Sequence, residues 1–457
     1  MSLKIVSIDP LFDEDEVAHQ DGGEVAFLSA KSTSPFVLSG NRRLAMVWRD
    51  NLWQFLVLAT PFLAYGGNLA FSPLLAGVGI LRLVVIPPAR RWSAGMTILG
   101  GLLVWALATQ LWSYYQPDLT HLGKARGVQA LTGLKLLFEL AFYGTAVAAM
   151  VALRRDAARR GLSWLAVGLA ILVGVLMLEY STQEKIYLAL KEALHQQARQ
   201  DLAHRNVARA YYVLALLVWP VGVHLWRRGD RWRWLAGFIY GGALVGSVLY
   251  RVDAPILGLI AGALAFVAVI RFGRVATFLA TICAVAYFVL MPMVVGGGVI
   301  QLATGSMSEI SKVSWASRID IWRFVSQLIE RRPFFGWGLD ASRAFPGLIP
   351  LHPHNGALQL WFELGAVGVG LAATFYVWLF SRIEIIRCRD PASAAAATAS
   401  TVVYLVIGAL SFGIWQEWWL GLGALTIIVC VAQRIARTRP IVKTPSMTDL
   451  LPLIMTM

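Results

Sequence analysis

Apolar segments of helical length recur along the whole chain, separated by polar connections. A transmembrane α-helix needs roughly 17–25 such residues, and the recurring helical length favours helices over the strands of a membrane barrel. The pattern therefore predicts an all-α integral membrane protein. It indicates about twelve transmembrane helices, some of them short, at residues 51–65, 68–86, 94–115, 129–153, 162–180, 207–226, 233–250, 254–270, 275–295, 356–381, 394–413 and 415–433.

Two longer stretches, 181–206 and 296–355, interrupt this pattern. The first is predicted to be an amphipathic helix, because Lys185, Lys191, Arg199 and Arg205 share it with Leu188, Leu190, Leu194 and Leu202. The first pair of runs is the shortest and turns at Gly66-Gly67-Asn68, so it could be re-entrant. The predicted organisation is an N-terminal tail at 1–50, transmembrane helices over 51–295, a large loop at 296–355, transmembrane helices over 356–433 and a C-terminal tail at 434–457.

Composition agrees with a membrane protein. The chain is 58% hydrophobic and 14% charged, whereas a soluble domain carries about 25% charged residues. It opens on polar and acidic residues such as Asp13-Glu14-Asp15-Glu16, so we expect no cleavable signal peptide and a signal function in the first spans. The three cysteines, Cys283, Cys388 and Cys430, imply no disulfide framework.

The net charge of +14 comes mainly from arginine and is not distributed evenly. Every second connection is basic, and the positive-inside rule places those connections in the cytoplasm. Both termini are then cytoplasmic, 181–206 and 296–355 lie outside, and no nucleic-acid partner is needed to explain the charge. The basic connections hold Arg90-Arg91, Arg154-Arg155, Arg159-Arg160, Arg227-Arg228, Arg231, Arg233, Arg271, Arg274, Arg382, Arg387, Arg389, Arg434, Arg437 and Arg439.

Basic residues on the predicted outer side break this rule and need another explanation. Arg205 and Arg209 lie one helical turn apart, and Arg251 occupies a tight outer turn. The loop at 296–355 adds further cations, namely Lys312, Arg318, Arg323, Arg331, Arg332 and Arg343. An anionic ligand at the outer membrane surface is the simplest explanation, since the planar guanidinium donates two parallel hydrogen bonds to phosphate.

The loop ends in the stretch from His352 to Gly365. Pro353 disfavours helix at the residue before it, and Asn355 is a good N-cap for the apolar run that follows. His354 is therefore predicted at a helix N-terminus, where the dipole lowers the pKa of an imidazole and favours its neutral, proton-accepting form. The alternative is that His354 only caps or packs at the membrane interface.

Two sequence blocks form recognisable motifs. His354, Asn355, Leu358 and Gly365 match the pattern His-[Asn/Ser/Gln]-x-x-Leu-x6-Gly, which resembles the signature of bacterial O-antigen ligases. Upstream, Ser317-Arg318-Ile319-Asp320-Ile321-Trp322 leads to Pro333-Phe334-Phe335-Gly336-Trp337-Gly338, a region that O-antigen ligases and O-antigen polymerases share. The close match covers about residues 317–365.

The resemblance implies a GT-C-like membrane glycosyltransferase of the bacterial inner membrane with a periplasmic active site. It would transfer O-antigen polysaccharide from undecaprenyl diphosphate to a sugar hydroxyl of lipid A–core and invert the anomeric centre. We expect no cofactor and no metal, because no outer Asp-x-Asp pair is present and arginines can neutralise a diphosphate. The expected site consists of His354 as base, Arg318 and Arg251 as catalytic cations, and Arg205, Arg209, Asn355 and Arg323 as substrate-binding residues.

Other interpretations of these residues stay open. Arg318 could pair with Asp320 or Glu330, Arg251 with Asp253, and Arg205 with Arg209 could contact lipid head groups. His352, His195 and His204 are expected to serve structure. Glu417 could orient a base or a sugar, although packing and solvation explain it equally well.

Other functions also remain. A polymerase, or a ligase that attaches glycans to protein, would share the 317–365 block and differ in its acceptor. A transporter of lipid-linked sugars would place charges near the bilayer midplane. Here the charges gather at the ends of the spans, with Lys135 and Glu139 as partial exceptions.

Overall fold

The computed structural model describes residues 35–85, 93–116, 131–196, 199–296 and 313–437, and in these ranges the regular structure is helical. The contacts divide the chain into Met1–Arg43 and Leu44–Met457, and the second unit contains the helix bundle. The helices are α1 Pro35–Gly66, α2 Phe71–Val85, α3 Ala94–Thr109, α4 Thr132–Met150, α5 Arg155–Thr182, α6 Lys185–Ala193, α7 Gln200–Ala208, α8 Ala210–Trp226, α9 Asp230–Leu249, α10 Asp253–Phe272, α11 Arg274–Gly296, α12 Val313–Arg331, α13 Gly356–Arg389, α14 Pro391–Leu410 and α15 Glu417–Arg437.

Each of the twelve predicted apolar runs falls on a helix. Within the described ranges, nine helical segments are long and apolar enough to cross a bilayer, and α2 is apolar but shorter. The chain is an all-α integral membrane protein, as predicted. Helix α1 begins at Pro35, inside the stretch predicted as a tail. Residues 1–34, Arg90-Arg91, Lys312 and Arg439 lie outside the described residues.

Helix α8 is the centre of the bundle. Its residues from Val213 to Leu217 are fully buried, so the helix is apolar on every side. Helices α5, α9, α14 and α15 pack around it. Close approach of α10 to this centre depends on Gly262, where an added Cβ would lie 2.6 Å from the ring of Trp219. Small residues at helix contacts are typical of membrane bundles.

The basic connections meet at one end of the bundle, which we call the arginine end. Arg154 pairs with Asp50 at 2.5 Å, while Arg227 and Arg437 both pair with Asp390, at 2.6 and 2.7 Å. Burial alone would raise the pKa of Asp390, but hydrogen bonds from Ser393 and the two arginines outweigh it and lower that pKa to about 2. The first pair joins the start of α5 to α1, and the other two join the α8–α9 connection and the end of α15 to the α13–α14 connection.

The amphipathic segment lies at the opposite end, which we call the loop end. It forms two short helices, α6 and α7, rather than the single helix predicted. His195 adopts a left-handed backbone conformation, with φ 55°, in the turn between them. Nδ1 of His204 lies 2.8 Å from a carboxylate oxygen of Glu184, which ties α7 to the start of α6. Helix α7 then passes through Arg209 directly into α8.

Candidate functional site

Asn355 caps helix α13, as predicted. Its backbone is extended, and its side-chain oxygen accepts a hydrogen bond from the Leu358 N–H at 3.0 Å. The residue is fully buried, so Asn355 could touch a substrate only if the start of the helix opened. In this structure it fixes the point at which the loop becomes a helix, one residue after His354.

The two motif blocks form one backbone-paired unit. Helix α13 breaks at Gly365, where φ is 64°, and the backbone groups released there pair with the Pro333–Gly338 block. The Trp337 N–H donates to the Phe362 carbonyl at 2.8 Å, and the Ala366 N–H donates to the Pro333 carbonyl at 2.8 Å. The motif glycine therefore marks a docking point for the loop.

We expect Gly365→Ala to destabilise the protein, whereas Gly370→Ala on the same helix should not. A Cβ on Gly365 would lie 2.3 Å from the Phe334 carbonyl oxygen, in a backbone conformation that alanine rarely adopts, while nothing lies within 4 Å of a Cβ on Gly370. The expected cost is at least about 1–3 kcal/mol. Melting of the two purified variants in detergent measures the difference, and equal melting temperatures would contradict this role of Gly365.

Glu363 connects three segments beneath the site. The Ser342 hydroxyl and the Trp415 indole donate to its two carboxylate oxygens at 2.6 and 2.7 Å. The Gln359 amide donates to it at 3.1 Å and in turn accepts from the Ile414 N–H at 2.9 Å. Sequence reasoning missed this residue; an acidic side chain inside an apolar run was the available signal. The network fixes the turn between α14 and α15.

That turn orients His354. Nδ1 of His354 lies 2.9 Å from the Ser411 carbonyl oxygen, so Nδ1 carries the proton and donates, and Nε2 keeps the free lone pair in the neutral ring. The pKa of His354 is lowered by burial first and also by Arg318, with the Ser411 carbonyl opposing both. The direction matches the sequence-based expectation, but burial and a neighbouring cation account for it.

His352 supports this arrangement. Its Nδ1 accepts the His354 backbone N–H at 3.2 Å, and its Nε2 lies 2.9 Å from the side-chain amide of Gln416. Burial, followed by His354, Arg318 and Arg343, lowers the pKa of His352 to about 3. With both ring nitrogens engaged, His352 serves structure, in agreement with the sequence-based interpretation.

Arg318 lies on α12, which is anchored beside the histidines. The Trp322 indole, one turn further on, donates to the Pro353 carbonyl at 2.7 Å. The guanidinium of Arg318 lies 5.4 Å from the ring centroid of Trp315. Burial lowers the pKa of Arg318, and nearby Tyr212 and Asp253 oppose that shift. In the described part of the chain, no ion pair joins Arg318 to Asp320 or Glu330, the alternative considered from the sequence.

Tyr212 on α8 has two arginines and Ser411, the backbone partner of His354, as neighbours. The Ser411 side chain lies beside the Tyr212 hydroxyl, and the electrostatic neighbours of Tyr212 include Arg318, Arg209 and Asp253. Arg205 in turn acts electrostatically on Arg209. Arg318, Arg209 and Arg205 therefore lie in one part of the loop end, which we call the arginine region, and Arg318 is also an electrostatic neighbour of His354. Sequence reasoning missed Tyr212, because nothing distinguishes it from other aromatic residues of an apolar run.

Two predicted site residues are placed differently. Arg251 lies exposed in the α9–α10 turn, with φ 54°, two residues before Asp253, whose carboxylate accepts from the Trp315 indole at 3.0 Å. Arg323 is roughly 140° around α12 from Arg318, and it lies 3.7 Å from Asp320. Because Asp253 is also an electrostatic neighbour of Tyr212, Arg251 lies close to the arginine region. Among the described residues, Arg323 has its ion-pair contact with Asp320 and not with this region.

A family model described as O-antigen ligase matches residues 251–373. The matched segment runs from Arg251 through α12 and the histidine loop to the break in α13. Residues 251–373 are therefore similar to the O-antigen ligase superfamily. The matched segment contains the paired motif blocks, His354 and Arg318, while Arg205, Arg209 and Tyr212 lie before it.

Curated relatives agree with this assignment. A provisionally named polysaccharide ligase of Rickettsia typhi is 27% identical over 243 residues, 48% of this chain and 56% of the relative. A protein of the same provisional name from Rickettsia prowazekii is 31% identical over 146 residues, 28% of this chain and 35% of the relative. The matches cover about half or less of these relatives.

Proposed function

We propose that this protein is an O-antigen ligase that transfers a polysaccharide from undecaprenyl diphosphate to a sugar hydroxyl of lipid A–core. The observation that carries the proposal is the juxtaposition of His354, whose Nε2 lone pair is free in the neutral ring, with the Arg318 and Arg209 region around Tyr212. A transfer from a lipid diphosphate needs both parts, namely a base for the incoming hydroxyl and cations for the departing diphosphate.

In the proposed reaction, Nε2 of His354 takes the proton of the acceptor hydroxyl as its oxygen attacks the anomeric carbon. The bond from that carbon to the diphosphate oxygen breaks, and the electron pair leaves with undecaprenyl diphosphate. Arg318 and Arg209 stabilise the charge on the leaving group, with Arg205 and Arg251 at the rim. Attack from the face opposite the leaving group inverts the anomeric centre.

The charge distribution supports an orientation as well. Cytoplasmic connections are enriched in arginine, so the arginine end is proposed to face the cytoplasm of a bacterial inner membrane. The loop end, with His354 and Arg318, then faces the periplasm. Charges at a span end suit a reaction at the membrane surface better than transport, which needs polar groups near the midplane.

We expect transfer to persist in excess EDTA. Arginines supply the cations that neutralise the diphosphate in this proposal, so the reaction does not depend on a divalent metal. The measurement is transfer activity of purified protein before and after chelation, with Mg²⁺ or Mn²⁺ added back. Loss of activity in EDTA that either ion restores would show that the charge stabiliser has been assigned wrongly.

Reconstitution tests the function itself. Purified protein is given undecaprenyl-diphosphate-linked glycan and lipid A–core, and the size of the acceptor is followed. A shift of lipid A–core to high molecular weight supports a ligase. Growth of the glycan on the lipid carrier would indicate a polymerase instead, and movement of the carrier across the membrane without a covalent product would indicate a transporter.

A further inference from the structure

A second polar cluster lies at the loop end, apart from the arginines around Tyr212. Lys135 on α4 and Glu417 on α15 form an ion pair at 2.7 Å. Asp340 and Arg343, in the loop after α12, lie 3.4 Å apart, and Lys135 acts electrostatically on Asp340. We call these four residues the mixed-charge cluster. Catalytic steps assigned to His354 and the arginine region do not use them.

The mixed-charge cluster adjoins the catalytic histidine. Gln416, which contacts the His352 ring, immediately precedes Glu417. Arg343 is an electrostatic neighbour of His352, as is Arg318, which belongs to the arginine region. The rings of His352 and His354 are 4.3 Å apart between centroids. The histidine pair therefore has the arginine region and the mixed-charge cluster as separate neighbours.

The two neighbours differ in charge. Tyr212 interacts with two arginines and one carboxylate, and Arg205 adds a further positive charge. In the mixed-charge cluster, two cations are paired with two carboxylates. Excess positive charge suits an anionic diphosphate, whereas a cluster without excess positive charge that can both donate and accept hydrogen bonds suits a neutral ligand rich in hydroxyl groups.

A third carboxyl group faces this cluster. Glu139, one turn along α4 from Lys135, is only 7% exposed, and its Oε2 has no hydrogen-bond partner. Lys135 and Glu417 are among its electrostatic neighbours. A buried carboxyl oxygen without a partner is costly, so this one indicates that a polar group completes the site.

The Lys135–Glu417 pair also remains accessible. Its side chains are 17% and 36% exposed, so hydroxyl groups of a ligand can reach both of them. Aromatic rings border the cluster, since the Arg343 guanidinium lies 5.8 Å from the centroid of the Tyr115 ring. Charged hydrogen-bonding groups beside aromatic faces are a chemically suitable environment for a sugar.

We propose that Lys135, Glu417 and Arg343, the last of these held by the buried Asp340, bind the neutral, hydroxyl-rich terminal sugar of the acceptor and present its reacting hydroxyl to His354. This inference rests on the proposed ligase function. It assigns the acceptor sugar to the mixed-charge cluster and the donor diphosphate to the arginine region. The Glu417 carboxylate accepts from two sugar hydroxyls, and Lys135 with Arg343 donates to sugar oxygens.

The test is two-substrate kinetics on full-length protein with purified carrier-linked glycan and lipid A–core, each varied in turn. Glu417→Gln should raise the KM for lipid A–core by about 10- to 100-fold, the range expected when a hydrogen bond to a charged group is lost. The KM for the donor and kcat should not change. Lys135→Gln should shift the same constant in the same direction and provides a second variant if the first is poorly expressed.

A charge swap separates sugar binding from a purely structural ion pair. Lys135→Glu combined with Glu417→Lys keeps the pair but exchanges its ends, so it should not restore the KM for lipid A–core. Asp230→Asn provides the matched control, because Asp230 pairs with Arg233 at 2.9 Å at the arginine end.

Each outcome decides between the two proposals. An unchanged acceptor KM in Glu417→Gln, recovery in the charge swap, or an equal rise in both KM values would overturn the acceptor site. Wild-type protein that transfers nothing would instead overturn the ligase function on which the inference rests.

Discussion

Replacing His354 by alanine should reduce glycan transfer by about 10²–10⁴-fold, the usual contribution of a general base. The donor should still bind, since its diphosphate is held by arginines rather than by the imidazole. The measurement is the rate of acceptor modification by reconstituted protein, together with separate binding of the carrier-linked glycan. Near-normal transfer by His354→Ala at full expression would show that His354 is not the base. The His352–Gly365 stretch would then only form the start of a helix.

His195→Ala is a matched control for this variant. His195 also lies at the loop end in a left-handed backbone conformation, with φ 55° against 58° for His354. Its Nδ1 likewise faces a backbone carbonyl, that of Glu192 at 3.4 Å. We expect wild-type transfer from His195→Ala, because the two residues share a backbone geometry but only His354 adjoins the arginines. Glu417, the alternative base considered from the sequence, is paired with Lys135.

The lowered pKa of His354 adds a dependence on pH. Burial and Arg318 disfavour the protonated ring, so the base stays neutral below the ordinary histidine pKa of about 6.5. Transfer should therefore be constant through neutral pH and fall only at a more acidic pH, as protonation removes the lone pair.

Changing Arg318 should affect both binding and turnover. Arg318→Lys keeps the charge but loses the two-pronged geometry, so we expect a large loss of activity and weaker donor binding. Arg318→Ala should be worse in both respects, because the diphosphate is already charged before the reaction. Steady-state kinetics with the donor varied, alongside direct donor binding, measures both effects.

Arg331→Lys serves as the control for Arg318. Arg331 is an exposed arginine at the end of the same helix and has no assigned part in the site. Normal donor binding by Arg318→Ala at wild-type expression would remove Arg318 from the diphosphate site. Loss of membrane insertion in both variants would instead point to a structural role for α12.

Much of the fold could be predicted from the sequence, because apolar segments of a given length have few alternatives in a membrane. Each of the twelve predicted runs falls on a helix. The cap at Asn355 also followed from local chemistry, since a short polar side chain before an apolar run satisfies the first free N–H groups. Both features depend on neighbours within a few residues.

The division of the 181–206 segment could not be predicted in the same way. Its turn contains His195 in a left-handed conformation that glycine usually adopts, so no residue there marked a break. Gly365 presents the converse case. Glycine is common in membrane helices, so its presence alone did not mark a break. The reason for the break in α13 is tertiary: the Phe334 carbonyl oxygen packs so close to Gly365 that an added Cβ would lie only 2.3 Å from it.

The site residues stay a prediction, and the sequence could name only some of the groups involved. Basic residues on the wrong side of the membrane pointed to Arg318, Arg209 and Arg205. Arg318 is an electrostatic neighbour of His354, and Arg318 and Arg209 are both neighbours of Tyr212. Tyr212 and Ser411 join these groups through contacts between α8 and the α14–α15 turn. Such contacts depend on how the helices pack, so no local sequence pattern predicts them.

If one site both removes the acceptor proton and releases the lipid diphosphate, the two events must occur in equal number. They are measured by counting undecaprenyl diphosphate released against lipid A–core modified, in reconstituted wild-type protein and in His354→Ala. We expect one carrier released for each acceptor modified, with both falling together in the variant. Carrier release that continues at the wild-type rate in His354→Ala, or acceptor modification without carrier release, would contradict it.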